Sequence, residues 1–313
     1  MSPSAPTRVA GAIDIGSNTI KMLVLQKKGH SLQMLAEQTC ETRIGTGIGN
    51  AKPVLRKHNM HRAAEAVNVL FQKMVPFNPG HIHIVATSAV RDARNRDEFI
   101  GIIRDITGIT LEVISGDREA ELIAKGILTD PHLKGEKEIV IFDLGGGSVE
   151  CIHIVEGRVR MAGSLPLGGV RIMESLLSDP SSPLSDSEAD LVRKEVLQRV
   201  RVLPFALDNE KAVLGVGTGG TFTTVRAILG GRMGRKLEES SPYMTLEGLQ
   251  SVFQEVRQFH LDQRLRIPNL PLNRADVFPV SLLILITLGQ WAGVNRFFHT
   301  FHNLRFGLAA ELL

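Results

Sequence analysis

Two short segments of the sequence share a pattern that suits phosphate binding. Each has an apolar strand, then Asp, an apolar residue and Gly, and then a small polar turn that leads into another apolar strand. The first segment is residues 12–19 (AIDIGSNT) and the second is residues 141–150 (IFDLGGGSVE). Their alternating or continuous apolar flanks predict that each segment forms the turn of a β-hairpin.

The chemistry of these turns follows from their residue types. Glycine adopts backbone conformations that other residues resist, so several N–H groups can converge on one anion. The Asp beside each turn, Asp14 or Asp143, can hold a divalent cation that bridges phosphate oxygens. The repeat also predicts two similar halves that face one another across a cleft. The predicted phosphate contacts are Asp14, Gly16, Ser17, Asn18 and Thr19 in the first segment, and Gly145, Gly146, Gly147 and Ser148 in the second.

Composition sets the broad class of the protein. A chain of 313 residues with 43% hydrophobic residues suggests about two domains. With 36 basic and 33 acidic residues the formal net charge is +3, which argues against a polybasic nucleic-acid binder. Two cysteines, Cys40 and Cys151, argue against a disulfide framework and for a reducing compartment. Residues 1–8 lack a signal-peptide pattern and the apolar stretch 277–288 is too short to span a bilayer, so we expect a cytoplasmic protein without a membrane partner.

Elements alternate along the chain in the α/β manner. After the first hairpin and a third strand at 32–37, apolar residues three and four apart predict a helix that ends before Pro76. A strand at 82–86, a helix from about 94, a strand at 111–114 and a helix running to about 128 complete one βββαβα unit. A similar series follows the second hairpin.

In this second series, Ser185 and Glu188 form the sequence of a capping box at the start of a helix. A strand is predicted at 212–216 and a helix at 221–229. Two such α/β units in tandem resemble the ribonuclease-H-like domains of the actin-like ATPase superfamily, with an interdomain cleft. The expected domains are residues 1–128 together with a returning C-terminal helix at 300–313, and residues 129–299.

The resemblance then narrows to one family. Over nearly its full length, and in the same order, the chain resembles the exopolyphosphatase/guanosine pentaphosphate phosphohydrolase family. Residues 14–19 and 143–150 match its two phosphate motifs, and residues 86–95 match its Thr-x-x-x-Arg-x-Ala-x-Asn segment. Residues 114–120 match the Ser-Gly-x-x-Glu-Ala segment that holds the catalytic glutamate of the family. Two further counterparts are residues 217–221 and 274–276.

The resemblance implies roles for particular residues. Glu119 would orient and deprotonate the attacking water, and Arg91 would contact the transferring phosphoryl group, for which a guanidinium offers a planar fork. Asp143 and Glu150 would place Mg²⁺, or Mn²⁺, through oxygen ligands or water. Arg43 is an additional candidate for phosphate contact. Lys21 stands where many relatives have Arg or His, so it keeps the charge without the fork.

A glycine-rich loop allows a different interpretation. Residues 215–220 satisfy the G-x-G-x-x-G pattern of dinucleotide-binding proteins, with Glu238 about twenty residues further on, which would indicate an oxidoreductase. No predicted strand carries Glu238, and the loop lies inside the second α/β unit. We therefore interpret it as a phosphate or nucleotide contact at a helix N-terminus. The contacts would come from Gly217, Gly219, Gly220 and Thr221.

The sequence departs from the family in two other places and in length. Residues 278–281 lack the glycine-rich turn that is common there, and residues 302–307 keep only part of the Gly-Leu-Arg-Glu-Gly ending. The sequence ends at Leu313, without the helical extension that longer relatives use to bind long polymer. Short polyphosphates and guanosine pentaphosphate therefore stand beside long chains as expected substrates.

Together these features predict an Mg²⁺-dependent phosphohydrolase that releases terminal orthophosphate from polyphosphate, or converts guanosine pentaphosphate to the tetraphosphate in the stringent response. One alternative is a phosphotransferase of the acetate or sugar kinase type on the same fold, against which the Ser-Gly-x-x-Glu segment argues. The other is a non-catalytic sensor that binds the alarmone nucleotide. A homodimer is expected from the family alone.

Overall fold

The protein is described from a computed structural model that covers residues 8–29, 31–204 and 213–313. Its contacts divide the chain into two compact units, Met1–Lys134 with His302–Leu313, and Gly135–Phe301. The division expected from the sequence, at residues 128 and 300, stays a prediction.

The elements follow one another in an order that is similar in the two units. The first unit contains β1 (Arg8–Ile15), β2 (Thr19–Lys28), β3 (Ser31–Glu41), α1 (Lys57–Met74), β4 (His81–Ala86), α2 (Ser88–Asp92), α3 (Arg96–Thr107), β5 (Glu112–Val113) and α4 (Gly116–Ile127). The second contains β6 (Glu138–Leu144), β7 (Val149–Val155), β8 (Arg158–Leu165), α5 (Gly169–Leu176), α6 (Asp186–Val200), β9 (Leu214–Thr218), α7 (Gly220–Arg232), β10 (Tyr243–Thr245), α8 (Leu246–Val256), α9 (Leu261–Arg264), α10 (Phe278–Trp291) and β11 (Arg296–His299). The last helix, α11 (Leu304–Glu311), belongs to the first unit.

The sheet of the first unit has the strand order β3-β2-β1-β4-β5. β1 pairs antiparallel with β2 and parallel with β4, so the loops after β1 and β4 meet at one edge of the sheet. Helix α11 crosses α4 at very short range, since a Cβ on Gly126 would lie 2.0 Å from Asn303 O and one on Gly307 would lie 1.9 Å from Leu122 O. Only glycine permits this crossing, which holds the C-terminal helix in the first unit.

The sheet of the second unit has the order β10-β11-β9-β6-β7-β8. Its core contains Phe142, Phe222 and Phe297, which are fully buried, with the last two ring centroids 5.5 Å apart. Helix α10 is buried over almost its whole length, from Phe278 to Gly289. The long apolar stretch of the sequence is therefore a core helix. No helix in the described parts of the chain combines the length and the apolar character needed to cross a bilayer.

Both sheets place their third, second, first and fourth strands side by side in that order, as β3-β2-β1-β4 and as β8-β7-β6-β9. The prediction of a repeated α/β unit with the ribonuclease-H-like, actin-like fold is confirmed. Element boundaries differ in places. β3 extends to Glu41 instead of 37, and β9 begins at Leu214 and ends at Thr218 instead of spanning 212–216, of which Ala212 lies outside the described residues.

Candidate active site

The first hairpin turn connects β1 to β2 and is closed by a hydrogen bond of 3.0 Å from Gly16 N to Thr19 O. Ser17, Asn18 and Thr19 are buried, at 5 to 7% exposure. The turn is therefore packed against the rest of the first unit.

The segment after β3 packs against this turn and donates backbone hydrogen bonds to it. The N–H groups of Thr42 and Arg43 both donate to Asn18 O, at 3.1 and 3.0 Å, and Gly45 N donates to Ser17 O at 2.8 Å. A Cβ on Gly45 would lie 2.7 Å from the Ser17 Cβ, so the position requires glycine. Arg43 thus lies beside the turn, and its contact with phosphate stays a prediction.

Asp14 and Lys21 occupy opposite positions of β1 and β2. Burial raises the pKa of Asp14, while the charges of Lys21 and Arg305 act to lower it. Asp14 Oδ1 and Asn18 Oδ1 are buried and accept no hydrogen bond from the described residues. An orphaned acceptor oxygen suits a water or a cation, so Asp14 would reach a phosphate through such a bridge or as the protonated acid.

Arg91 and Glu119 form a direct ion pair in the first unit. Helix α2 carries Arg91, and α4, capped by the Ser115 hydroxyl, carries Glu119 in its first turn. Arg91 Nη1 lies 2.8 Å from Glu119 Oε2 and 3.1 Å from Ile114 O. Glu119 is 6% exposed, and burial of an unpaired carboxylate would be costly. The pair therefore orients both side chains.

The second hairpin turn, between β6 and β7, repeats the geometry of the first. Gly145 N donates to Ser148 O at 3.0 Å. The start of α5 donates two backbone hydrogen bonds to this turn. Gly169 N donates to Gly145 O and Arg171 N donates to Gly146 O, both at 3.0 Å. Arg171 Nε adds a bond of 2.8 Å to Gly147 O.

The contact between this turn and α5 depends on a second glycine. A Cβ on Gly168 would lie 2.3 Å from the backbone N of Gly147. A side chain at residue 168 would therefore force the turn backbone to shift, as one at residue 45 would do at the first turn.

Asp143 and Glu150 lie directly opposite one another on β6 and β7. Two carboxylates in this arrangement repel, unless a cation lies between them. Glu150 is 2% exposed, and its Oε1 accepts a bond of 2.7 Å from the Ser164 hydroxyl. On the other side of Asp143, Thr218 of β9 has a buried hydroxyl without a partner among the described residues.

These oxygens fit a hard divalent cation such as Mg²⁺. Within residues 8–29, 31–204 and 213–313, no group of three or more His, Cys, Asp or Glu side chains forms a potential metal site. Asp143 and Glu150 would therefore supply two ligands and leave the others to water and phosphate, which is usual for Mg²⁺.

The glycine loop between β9 and α7 packs against Asp143. Gly219 has φ of +91°, and a Cβ there would lie 2.9 Å from Asp143 Oδ1. Gly217 packs on the Phe222 ring. Gly220 packs on the Arg274 guanidinium, because a Cβ at residue 220 would lie 2.2 Å from Arg274 Cζ. The loop with Thr221 thus presents the N-terminus of a 13-residue helix and a guanidinium together, an arrangement that suits an anion.

A buried polar network lies behind this loop. Arg226 Nε and Nη2 donate to the Ser240 hydroxyl and carbonyl at 3.0 and 2.7 Å. Arg226 Nη1 lies 3.3 Å from His299 Nδ1, and His299 Nε2 lies 3.0 Å from Thr223 Oγ1. The Thr223 hydroxyl is also 3.0 Å from Gly219 O. The network connects the end of β11 to the loop.

The sequence-predicted residues thus form local groups within the units. The first unit brings together the first turn with Lys21 and Arg43, and pairs Arg91 with Glu119. The second brings the second turn, the two carboxylates and the glycine loop together. Sequence reasoning missed Ser164, Arg171, Thr218 and Arg274. Thr218 and Arg274 each had one usable signal, a place in a segment with a family counterpart, whereas Ser164 and Arg171 are found only from strand register and packing.

The comparisons with known proteins agree with this fold. An exopolyphosphatase from Cytophaga hutchinsonii ATCC 33406 is similar with a TM-score of 0.88 and 23% identity, over 97% of this chain and 97% of that chain. The Aquifex aeolicus member of the Ppx/GppA family is similar with a TM-score of 0.79 and 23% identity, over 98% of each chain. The sequence profile of the Ppx/GppA phosphatase family matches residues 23–290. The chain therefore belongs to the Ppx/GppA phosphatase family.

Proposed function

We propose that this chain is a phosphohydrolase that releases terminal orthophosphate from inorganic polyphosphate or from guanosine pentaphosphate. Membership of a phosphatase family supports the reaction class. The observation that carries the proposal is the 2.8 Å contact between Arg91 and Glu119. It joins a group suited to phosphate oxygens with a group that can accept a proton from water.

In the proposed reaction, water attacks the terminal phosphorus and the bridging P–O bond breaks. Glu119 orients the water and accepts its proton, while Arg91 contacts the phosphoryl oxygens as their charge develops. Within its own unit, each turn would offer backbone N–H groups to phosphate oxygens, and the glycine loop of the second unit would do the same. Mg²⁺ or Mn²⁺, when held by Asp143 and Glu150, would neutralise phosphate charge and assist departure of the shortened chain.

Pairing with Arg91 has a consequence for the role of Glu119. The guanidinium at 2.8 Å fixes the position of the carboxylate. The main contribution of Glu119 would therefore be the orientation of the water. Loss of such a group typically lowers the rate by about 10²- to 10⁴-fold.

The test is phosphate release in the presence of Mg²⁺ from long polyphosphate, tripolyphosphate, guanosine pentaphosphate and ATP. Glu119→Gln should lower kcat by about 10²- to 10⁴-fold on the preferred substrate. Glu121→Gln is the matched control, because it makes the same change two residues along α4 on an exposed side chain. Its kcat should stay within about twofold, since surface ion pairs contribute little.

Three outcomes decide between the functions. Release that collapses only in Glu119→Gln supports the hydrolase and ranks its substrates. Transfer of phosphate from ATP to an added acceptor would instead indicate a kinase. Tight nucleotide binding without release in either protein would indicate a sensor. Homodimer formation, cytoplasmic location and a role in the stringent response stay predictions.

A further inference from the structure

A strongly basic segment follows β3 in the first unit. Residues 42–64 contain no Asp or Glu, although the whole chain is nearly balanced, with 36 basic and 33 acidic residues. The Lys and Arg residues of the segment are Arg43, Lys52, Arg56, Lys57 and Arg62. This is a local concentration of charge that the formal net charge of +3 does not reveal.

One end of this segment is attached to the first hairpin turn. Gly45 N donates to Ser17 O at 2.8 Å, as described above. From α1, the Asn59 amide donates to Arg43 O at 3.3 Å and the Arg62 guanidinium donates to Thr42 O. The segment and the start of α1 therefore stay beside the turn.

The other end of the segment is attached to the loop after Arg91. Arg94 N donates to Pro53 O at 3.1 Å. The Asn95 side chain bonds both backbone groups of Leu55, at 2.8 Å to its N and 3.0 Å to its O. These bonds bring the basic segment together with Arg94, which follows Arg91 by three positions in the sequence.

Four cations on this part of the unit are exposed, namely Lys52, Arg56, Lys57 and Arg94, which we call the cationic surface. Within the described residues none of the four forms an ion pair, although ion pairs are frequent on α4 and α6. Like charges that gather without partners repel one another and destabilise the folded unit. A polyanion would remove this repulsion.

We propose that the cationic surface binds the part of an inorganic polyphosphate chain that lies beyond its terminal phosphates. The inference rests on the proposed function, because it assigns the terminal phosphates to the first turn and Arg91. Binding of this kind depends on charge and counterion release more than on directed hydrogen bonds. Tripolyphosphate and the 5′-triphosphate of a nucleotide have few phosphates left to reach the surface, so the surface favours longer polyphosphate.

The experiment measures binding calorimetrically in the Glu119→Gln background, where turnover does not consume the ligand. The double variant Arg56→Ala/Arg94→Ala should weaken binding of long polyphosphate by about five- to thirtyfold, and binding of tripolyphosphate by less than about twofold. The slope of log affinity against log salt should become shallower by about 1 to 2 for long polyphosphate alone. Arg56→Lys/Arg94→Lys should restore binding, because it keeps both charges.

The matched control is Lys28→Ala/Arg104→Ala, which removes two exposed cations from the same unit. Lys28 ends β2 on the side opposite the first turn, and Arg104 lies about 12 Å along α3 from its first residue. This control should bind long polyphosphate like the parent. An equal effect of both double variants would overturn the inference, since only net charge would then matter.

Two other results would overturn it as well. Equal weakening for tripolyphosphate and long polyphosphate would place Arg56 and Arg94 at the terminal phosphates. Binding of single-stranded RNA of matched charge as tightly as polyphosphate would indicate a general polyanion surface. Absence of phosphate release by the wild-type protein counts against the proposed function and leaves the binding result readable, so the two failures are distinguishable.

Discussion

Lowering the pH from 7 to 5 should destabilise the protein through His299. The imidazole is 2% exposed, and burial together with the nearby Arg226 charge lowers its pKa from 6.5 to about 3. Arg226 can only donate, so Nδ1 of a neutral His299 accepts at 3.3 Å and Nε2 carries the proton towards Thr223 Oγ1 at 3.0 Å. Protonation of Nδ1 would place two donors face to face.

The sign and size of the effect follow from proton linkage. Below pH 6.5 the unfolded chain binds a proton that the folded protein excludes, so the contribution of His299 is complete above about pH 7 and is lost as the pH falls towards 3. With these two pKa values, the free energy of unfolding falls by about 2 kcal/mol between pH 7 and pH 5. This loss is a substantial part of the free energy of unfolding of a typical domain.

Urea unfolding at pH 5, 6 and 7 measures this effect. His299→Gln keeps an acceptor for Arg226 and a donor for Thr223 but does not titrate, so the wild type should lose about 2 kcal/mol more than the variant between pH 7 and pH 5. His58→Gln, at an exposed position of α1, controls for removal of a histidine. Equal pH dependence of the wild type and His299→Gln would refute the buried neutral imidazole.

Two further predictions concern the second hairpin. Gly168→Ala should lower stability by about 1 to 3 kcal/mol and raise the KM, because its Cβ would meet the turn backbone at Gly147; an unchanged urea midpoint and KM would contradict this packing. Ser164→Ala should raise the Mg²⁺ concentration needed for half-maximal phosphate release by about tenfold or more, since Glu150 loses the donor at 2.7 Å that orients it. An unchanged Mg²⁺ titration would show that Glu150 is not a ligand.

Local signals predicted most of the fold. Apolar periodicity located α1, and the capping box of Ser185 and Glu188 at the start of α6 is present as predicted. Both hairpin turns were found because strand, turn and glycine follow one another in a few residues. Such features depend on near neighbours in the chain, which is the information that a sequence pattern contains.

The unpredicted parts depend on contacts between distant residues. Gly45 and Gly168 have no special sequence context, and their need for glycine comes from turns that lie 28 and 21 positions earlier, at Ser17 and Gly147. Arg274 reaches Gly220 only after the chain has passed through α8 and α9. No periodicity indicates such pairs, so the supports of the candidate site had to be found in three dimensions.

The two hairpins differ in the residue that lies opposite the aspartate, and this difference predicts different modes of phosphate contact. In the second unit, strand register places Ser164, Glu150, Asp143 and Thr218 side by side across β8, β7, β6 and β9. In the first unit the corresponding row is Thr39, Lys21, Asp14 and Val85.

A lysine thus stands in the first row where the second has a glutamate. Lys21 supplies a positive charge next to Asp14. Burial raises the pKa of Asp14, and the charge of Lys21 acts to lower it. In the second row, Asp143 faces Glu150, a second carboxylate, instead of a lysine. We therefore propose that the first hairpin contacts phosphate directly through Lys21 and that Asp143 and Glu150 would contact it through Mg²⁺, so removal of Mg²⁺ should weaken only the contact at the second hairpin.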